Sequence, residues 1–190
     1  TGKYRLRQRF SHVFMSDTRD VVFQSEPFQG MAPEQGVSFA IEPARLPIGD
    51  CHIHVFWLHH NCTAYANEKP TVISRLKDKG RSCAGTTIGE ATAIATYCGL
   101  MLQEAKRTSV ANAAADGGPA YCNDQAMHNY MLWTDKFSRR FEVSHHEHET
   151  GPLFTIGTVL SYRVHTPLST YDAHSHTRQH QQHPLYPHTS

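Results

Sequence analysis

Apolar positions along this chain come in short blocks separated by polar breaks. Val13-Phe14-Met15 is the first block and Val21-Val22-Phe23 the second. Short runs rich in Val and Phe predict buried strands. Residues 27–35 carry Gly30 and Pro33 and predict a loop, and residues 47–50 predict a turn. Residues 37–41, VSFAI, predict another strand, closed by Glu42-Pro43. Residues 51–62 predict a short helix with an aromatic face. Residues 90–106 predict a long helix, because Ala93, Ile94, Tyr97, Met101 and Ala105 recur at the three-and-four spacing of a buried face. Residues 108–119 are rich in Ala, Asn and Gly and predict a surface loop. Residues 123–133 predict a helix capped by Asn123 or Asp124, with Met127, Met131 and Leu132 facing the core. Strands are expected at 141–144 and 153–160, with His145, His146 and His148 in the turn between them. From about residue 168 aliphatic residues nearly vanish and His and Gln dominate, a tail composition that cannot bury a core. This gives two parts, 1–167 and 168–190, and an α/β chain.

Composition narrows the function classes. The chain has 190 residues, 39% hydrophobic and 18% charged, which suits a globular domain. A formal net charge of +1 offers no electrostatic case for nucleic acid or an anionic membrane surface. The basic residues 1–11 are expected to form a solvated strand or helix edge. The mostly apolar stretch 91–102 is too short to span a bilayer. Thr1 stands where an initiator Met would, so the chain is expected to be a piece of a longer protein. Five cysteines with no CxxC pair lack zinc-ligand spacing and leave at least one thiol unpaired. Asn61-Cys62-Thr63 has the form of a glycosylation acceptor, a motif short enough to recur by chance, and it would suit a secretory lumen.

Candidate chemistry lies in three stretches. The first is SDTRD, where Asp17 and Asp20 follow the first predicted strand. Carboxylates are costly to bury unpaired, and ligands of open α/β sheets gather beyond the carboxyl ends of strands. A hard divalent cation carrying phosphate oxygens fits that place. The bland alternative is a turn former or helix cap. The second stretch is SCAGTTIG at 82–89, where Gly85 allows close backbone approach and Thr86 and Thr87 offer hydroxyls. The alternative there is a small-residue strand packed under a helix. The third is DQAMHN. Asp124 and His128 are four apart on one helix face, as a structural bond, a metal pair or an acid–base pair. Among residues 51–62, His52 and His59 share a face with no carboxylate beside them, so packing or surface roles are expected. The same holds for the histidines at 145–148.

Taken together, SDTRDVVFQSEPF, SCAGTTIG and DQAMHN resemble the ordered motifs of a group of eukaryotic glycosyltransferases with the GT-A fold. The resemblance spans roughly residues 10–160 and includes the Gln24 and Pro27-Phe28 flank. It implies a partial, Rossmann-like mixed sheet flanked by helices. It also implies transfer of a sugar from a nucleotide-sugar donor to a hydroxyl of a glycan, protein or lipid acceptor. Mn2+ or Mg2+ would hold the donor diphosphate. The usual aspartate motif has one residue between its carboxylates and this chain has two. Asp20 is therefore the favoured ligand, with Asp17 a second ligand or an acceptor behind it.

The same resemblance assigns Arg19, Gly85, Thr86, Thr87 and Asn129 to substrate binding. It assigns Asp124 a catalytic role facing the sugar and acceptor, supported by Gln125 and His128. It places Trp57 in packing. It implies a secretory, Golgi-lumen setting with any membrane anchor outside this segment. The nucleotide-binding half would precede residue 1, so the segment alone is expected to be inactive. The rival expectations are a non-catalytic carbohydrate-binding or regulatory remnant, and a metal-binding protein using its 15 histidines.

Overall fold

The computed structural model describes residues 10–18, 21–23, 25–42, 46–113, 122–147 and 153–155. All fall within one compact unit, Thr1–Thr158. The basic segment 1–9, Arg19, Asp20, Gln24, His148 and the His/Gln-rich tail lie outside the described residues.

A four-stranded mixed sheet forms the centre. Its order is β1 (His12–Ser16), β4 (Ser82–Glu90), β3 (Val37–Ile41) and β5 (Val143–Glu147). β4 is antiparallel to both β1 and β3, while β3 and β5 are parallel. Thus β1, β3 and β5 all run one way, and their carboxyl ends share an edge with the amino end of β4. A separate two-stranded antiparallel sheet joins β2 (Val21–Phe23) to β6 (Leu153–Thr155).

The period-two alternation of strands divides the apolar residues between two faces. Val13, Met15, Val37, Phe39 and Ile41 belong to the main core with Ile94, Tyr97, Met127 and Met131. Phe14, Ala40 and Ile88 pack in a smaller cluster around Met31. In the main core Phe39 meets the rings of His128, Phe137 and Tyr97 at centroid distances of 5.0, 5.6 and 5.8 Å. Gly36 enters β3 with φ +81°, and the Glu142 carbonyl occupies the space a side chain would need.

Six helices surround the sheet among the described residues. The loop expected at 27–35 contains a helical turn, α1 (Pro27–Gly30), because the Glu26 side chain accepts from Phe28 N and proline presets the first turn. A 3-10 turn at Ile48–Asp50 precedes α2 (His52–His59), α3 (Thr63–Ala66) and α4 (Val72–Leu76). On α2, His52 and His59 are exposed, and Trp57 packs partly against the core. α5 (Ala91–Ala113) runs into the segment expected to be a loop. Its final turns have tertiary partners: buried Thr108 places its hydroxyl 3.7 Å from Met127 Sδ of the following helix, and buried Asn112 accepts from Ala64 N at 3.3 Å. β4 passes into α5 without a connecting residue. The Glu90 carboxylate caps the helix by accepting from Thr92 N at 3.0 Å and Ala93 N at 3.2 Å. α6 (Asp124–Trp133) starts at Asn123, whose side chain accepts from Ala126 N at 3.3 Å. β5 begins two residues later than expected and draws His145 and His146 into the sheet, because Ser144 bonds Ser38 across the parallel pair.

Cys62 and Cys122 form a disulfide between residues 60 apart, with Cα atoms at 4.8 Å. Among the described residues, no helix is long and apolar enough to cross a membrane.

Candidate functional site

The register of β4 breaks where the small-residue stretch begins. Thr87 pairs with Phe39 and Ser82 with Ile41, so two steps on β3 match five on β4. Residues 83–86 face the single β3 residue Ala40 and bulge from the β3 ladder, while Thr86 keeps its β1 partner Ser16. A bulge leaves backbone N–H and C=O groups without strand partners, and those groups need replacements when buried.

The replacements come from α6. Gln125 accepts from Ala84 N through Oε1 at 2.9 Å and donates from Nε2 to Ser82 O. Asn129 accepts from Ser82 N at 2.9 Å and donates to Ser82 O at 2.9 Å. Bulge carbonyls are also met from within: Thr86 donates to Cys83 O at 3.3 Å and Thr87 to Ala84 O at 3.4 Å. Both threonines are fully buried, so their hydroxyls hold the bulge.

His128 completes the clasp. Its Nδ1 faces the Tyr97 hydroxyl at 3.0 Å and its Nε2 faces Ser82 Oγ at 2.9 Å. Ser82 Oγ in turn donates to Ala40 O at 3.3 Å. One tautomer satisfies the whole chain of bonds: Tyr97 donates to Nδ1, and Nε2–H donates to Ser82. Burial first, and then His145, lowers the His128 pKa to about 3, so the ring stays neutral. His54 lies behind Gln125, its Nε2 3.4 Å from Gln125 Nε2 and its Nδ1 3.2 Å from Cys51 Sγ. Burial, with a contribution from Arg81, lowers its pKa to about 4.

The other side of the bulge belongs to the aspartate stretch. Asp17 directly follows β1, and its backbone N donates to Gly85 O at 2.9 Å. Its exposed carboxylate lies over the Gly85 Cα, in the space that a side chain at 85 would fill. The small-residue packing alternative describes one side of this stretch, under α6, and on the other side Gly85 makes room for Asp17. Cys83 is buried beside this contact, and burial chiefly holds its thiol up at about 11, with Glu42 and Asp17 adding to the effect.

Asp124 is exposed at the start of α6, and its Oδ1 accepts from Gln125 N at 2.8 Å. Along the same sheet edge, buried Arg81 pairs with Glu42 at 2.9 Å and donates to Leu46 O at 2.8 Å. Nothing in the residue pattern singled out Arg81, and His54 stood only as one of the histidines of residues 51–62 expected to pack or lie at the surface. The signal for the α6 clasp was present in outline: Gln125, His128 and Asn129 are polar residues at helical spacing on a face that also carries core residues.

The structure thus brings together Asp17, Gly85, Gln125, His128 and Asn129, with Asp124 one residue from the clasp. It places Thr86 and Thr87 inside, and Arg19 and Asp20 lie outside the described residues. Among the described residues, no group of three or more His, Cys, Asp or Glu side chains is placed to hold a metal ion. A surface hollow of about 450 Å3, lined by Phe10, His12, Phe28 and Glu34, lies at the amino end of β1, away from Asp17. No family model, curated protein or solved structure matches this chain.

Proposed function

We propose that this chain is part of a metal-dependent glycosyltransferase that moves a sugar from a nucleotide-sugar donor to an acceptor hydroxyl. The observation that carries the reading is the meeting of three sequence-distant motifs at one bulge. Asp17 lies on Gly85 from one side, and Gln125 and Asn129 hold residues 82 and 84 from the other. The bulge sits at the edge where β1, β3 and β5 end, the place where open α/β sheets bind ligands. Bulges are also common beside active sites, where they aim side chains.

The donor chemistry fits a hard cation only in part within the described residues. Asp17 carries an exposed carboxylate, and Asp20 is the favoured direct ligand in this reading, with Asp17 a second ligand or an acceptor behind it. Mn2+ or Mg2+ held there would supply Lewis-acid neutralisation of the leaving diphosphate. This chain's own residues do the positioning. The α6 clasp holds the strand that carries Gly85, and Gly85 leaves room for the Asp17 carboxylate. Asp124, on the exposed first turn of α6, faces sugar or acceptor in this reading. Gln125, His128 and Asn129 act as positioning residues, since their polar atoms are engaged with the strand. The acceptor is a glycan, protein or lipid hydroxyl, in a Golgi or other secretory lumen.

The test is donor hydrolysis and transfer by the full-length enzyme under manganese titration. Asp17→Asn and Asp20→Asn should each weaken the metal dependence, with Asp20→Asn the stronger. Unchanged metal affinity and rate in both variants would reject the assignment.

A further inference from the structure

We propose that Asn61 is an N-glycan acceptor whose occupancy is set by competition with closure of the Cys62–Cys122 disulfide. Asn61-Cys62-Thr63 meets the acceptor pattern, and its central residue is one half of the disulfide. The two observations are independent, and both belong to an oxidising secretory compartment.

In the folded chain this tripeptide is fixed at every position. Asn61 N donates to Phe56 O at 3.0 Å as α2 ends. Cys62 is fully buried, and its carbonyl accepts from Tyr65 N at 3.0 Å and Ala66 N at 3.1 Å. Thr63 opens α3, and Ala64 next to it is tied to Asn112 of α5. Asn112 Nδ2 lies 3.8 Å from Cys122 Sγ, so the same side chain braces both sides of the disulfide. An acceptor tripeptide must present its amide and hydroxyl together to a transferase, and a clamped segment cannot rearrange to do so.

The Asn61 side chain is half-buried in the fold, so modification belongs to the time before the disulfide closes. Cys122 lies 60 residues further along, so at ordinary synthesis rates Cys62 waits about 3–12 s for its partner. That interval is the window for modification.

Both reactions balance. In glycosylation, Asn61 Nδ2 bonds to the anomeric carbon of a lipid-diphosphate-linked oligosaccharide. The bond to the diphosphate breaks, the diphosphate leaves with the electron pair, and the amide proton goes to a base. In disulfide closure, the Cys62 and Cys122 thiols lose two protons and two electrons to the disulfide of a lumenal oxidoreductase, which becomes a dithiol.

The experiment is glycopeptide mass spectrometry on the full-length protein made in cultured eukaryotic cells, with and without peptide N-glycosidase. It reads the intracellular pool, so that chains failing to fold still count. Partial occupancy of Asn61 is expected in the unaltered protein, a severalfold rise in the occupied-to-empty ratio in Cys122→Ser, and no glycan in Thr63→Ala. Asn61 bare in both the unaltered protein and Cys122→Ser would overturn the acceptor assignment. Equal occupancy in those two proteins would overturn the competition.

Discussion

Asn129 holds Ser82 as a neighbouring strand would, accepting from its backbone N and donating to its backbone O, each at 2.9 Å. A side-chain amide has the donor and acceptor spacing of a peptide unit, so it can serve as a strand partner for Ser82, which pairs with Ile41 of β3 and lies beyond the end of the β1 ladder. Both residues are fully buried. Asn129→Ala should therefore leave a buried N–H without a partner and cost about 1–3 kcal/mol. Urea denaturation of the purified chain measures this, and a loss within error of zero would show that the clasp does not hold the strand.

Gly85 is the counterpart on the aspartate side. A methyl group at 85 would collide with the Asp17 carboxylate. Gly85→Ala should push Asp17 away and cost about 1–3 kcal/mol, the ordinary penalty of overpacking. On the proposed metal-dependent reading, the same variant in the full-length protein should weaken the manganese response by more than its stability loss explains. A variant with unchanged metal response would separate Asp17 from the site.

Two buried histidines give the fold an acid-sensitive side. His54 and His128 have pKa values lowered from 6.5 to about 4 and about 3, with burial the main cause. The unfolded chain takes up these protons first, so the associated stability is complete above pH 6.5 and falls as pH drops toward 3. Between pH 7 and pH 5 the loss should be on the order of 3 kcal/mol. Denaturation midpoints measured at the two values test it. His128→Gln should flatten part of the slope, and an unchanged slope in that variant would rule His128 out as a source.

The Cys62–Cys122 bridge closes a long loop containing α3, α4, β4 and α5. Chain-entropy reasoning puts its contribution near 4 kcal/mol. Thermal unfolding with and without a thiol reductant should show a clear drop in the midpoint on reduction. A Cys122→Ala chain should behave the same in both buffers.

Asp124 offers the most direct functional readout. Asp124→Asn keeps the side-chain shape and an oxygen for Gln125 N, so the clasp should persist. On the proposed transferase reading, kcat of the full-length protein should fall on the order of 100-fold with donor binding nearly intact, the signature of a group acting in the transition state. A full-rate variant would remove Asp124 from the reaction.

Strands and helices were legible where a local rule decided them. VSFAI became β3 because a β-branched and aromatic run bounded by Gly36 and Glu42 has no good alternative. Asn123 marked the start of α6 through its capping side chain. Features that depended on distant partners were hidden. The α5 extension rests on buried Thr108 and Asn112, which have no apolar periodicity to reveal them. The disulfide could be guessed only as parity, since five cysteines permit many pairings. SCAGTTIG signalled close backbone approach but not that the strand would bulge, because a bulge is defined by register against β3. The α6 polar residues had no visible purpose until that bulge supplied unpaired backbone groups for them.

The joint at Glu90 ties these parts into one lever. There is no linker between β4 and α5, and the Glu90 carboxylate caps the first turn, so the direction of the strand sets the direction of the helix. A 23-residue helix is about 34 Å long, so a tilt of about 5° at the strand swings its far end by about 3 Å. That far end is held by Asn112, between Ala64 and the Cys122 sulfur. The disulfide is therefore the anchor at the long arm and the bulge is the load at the short arm.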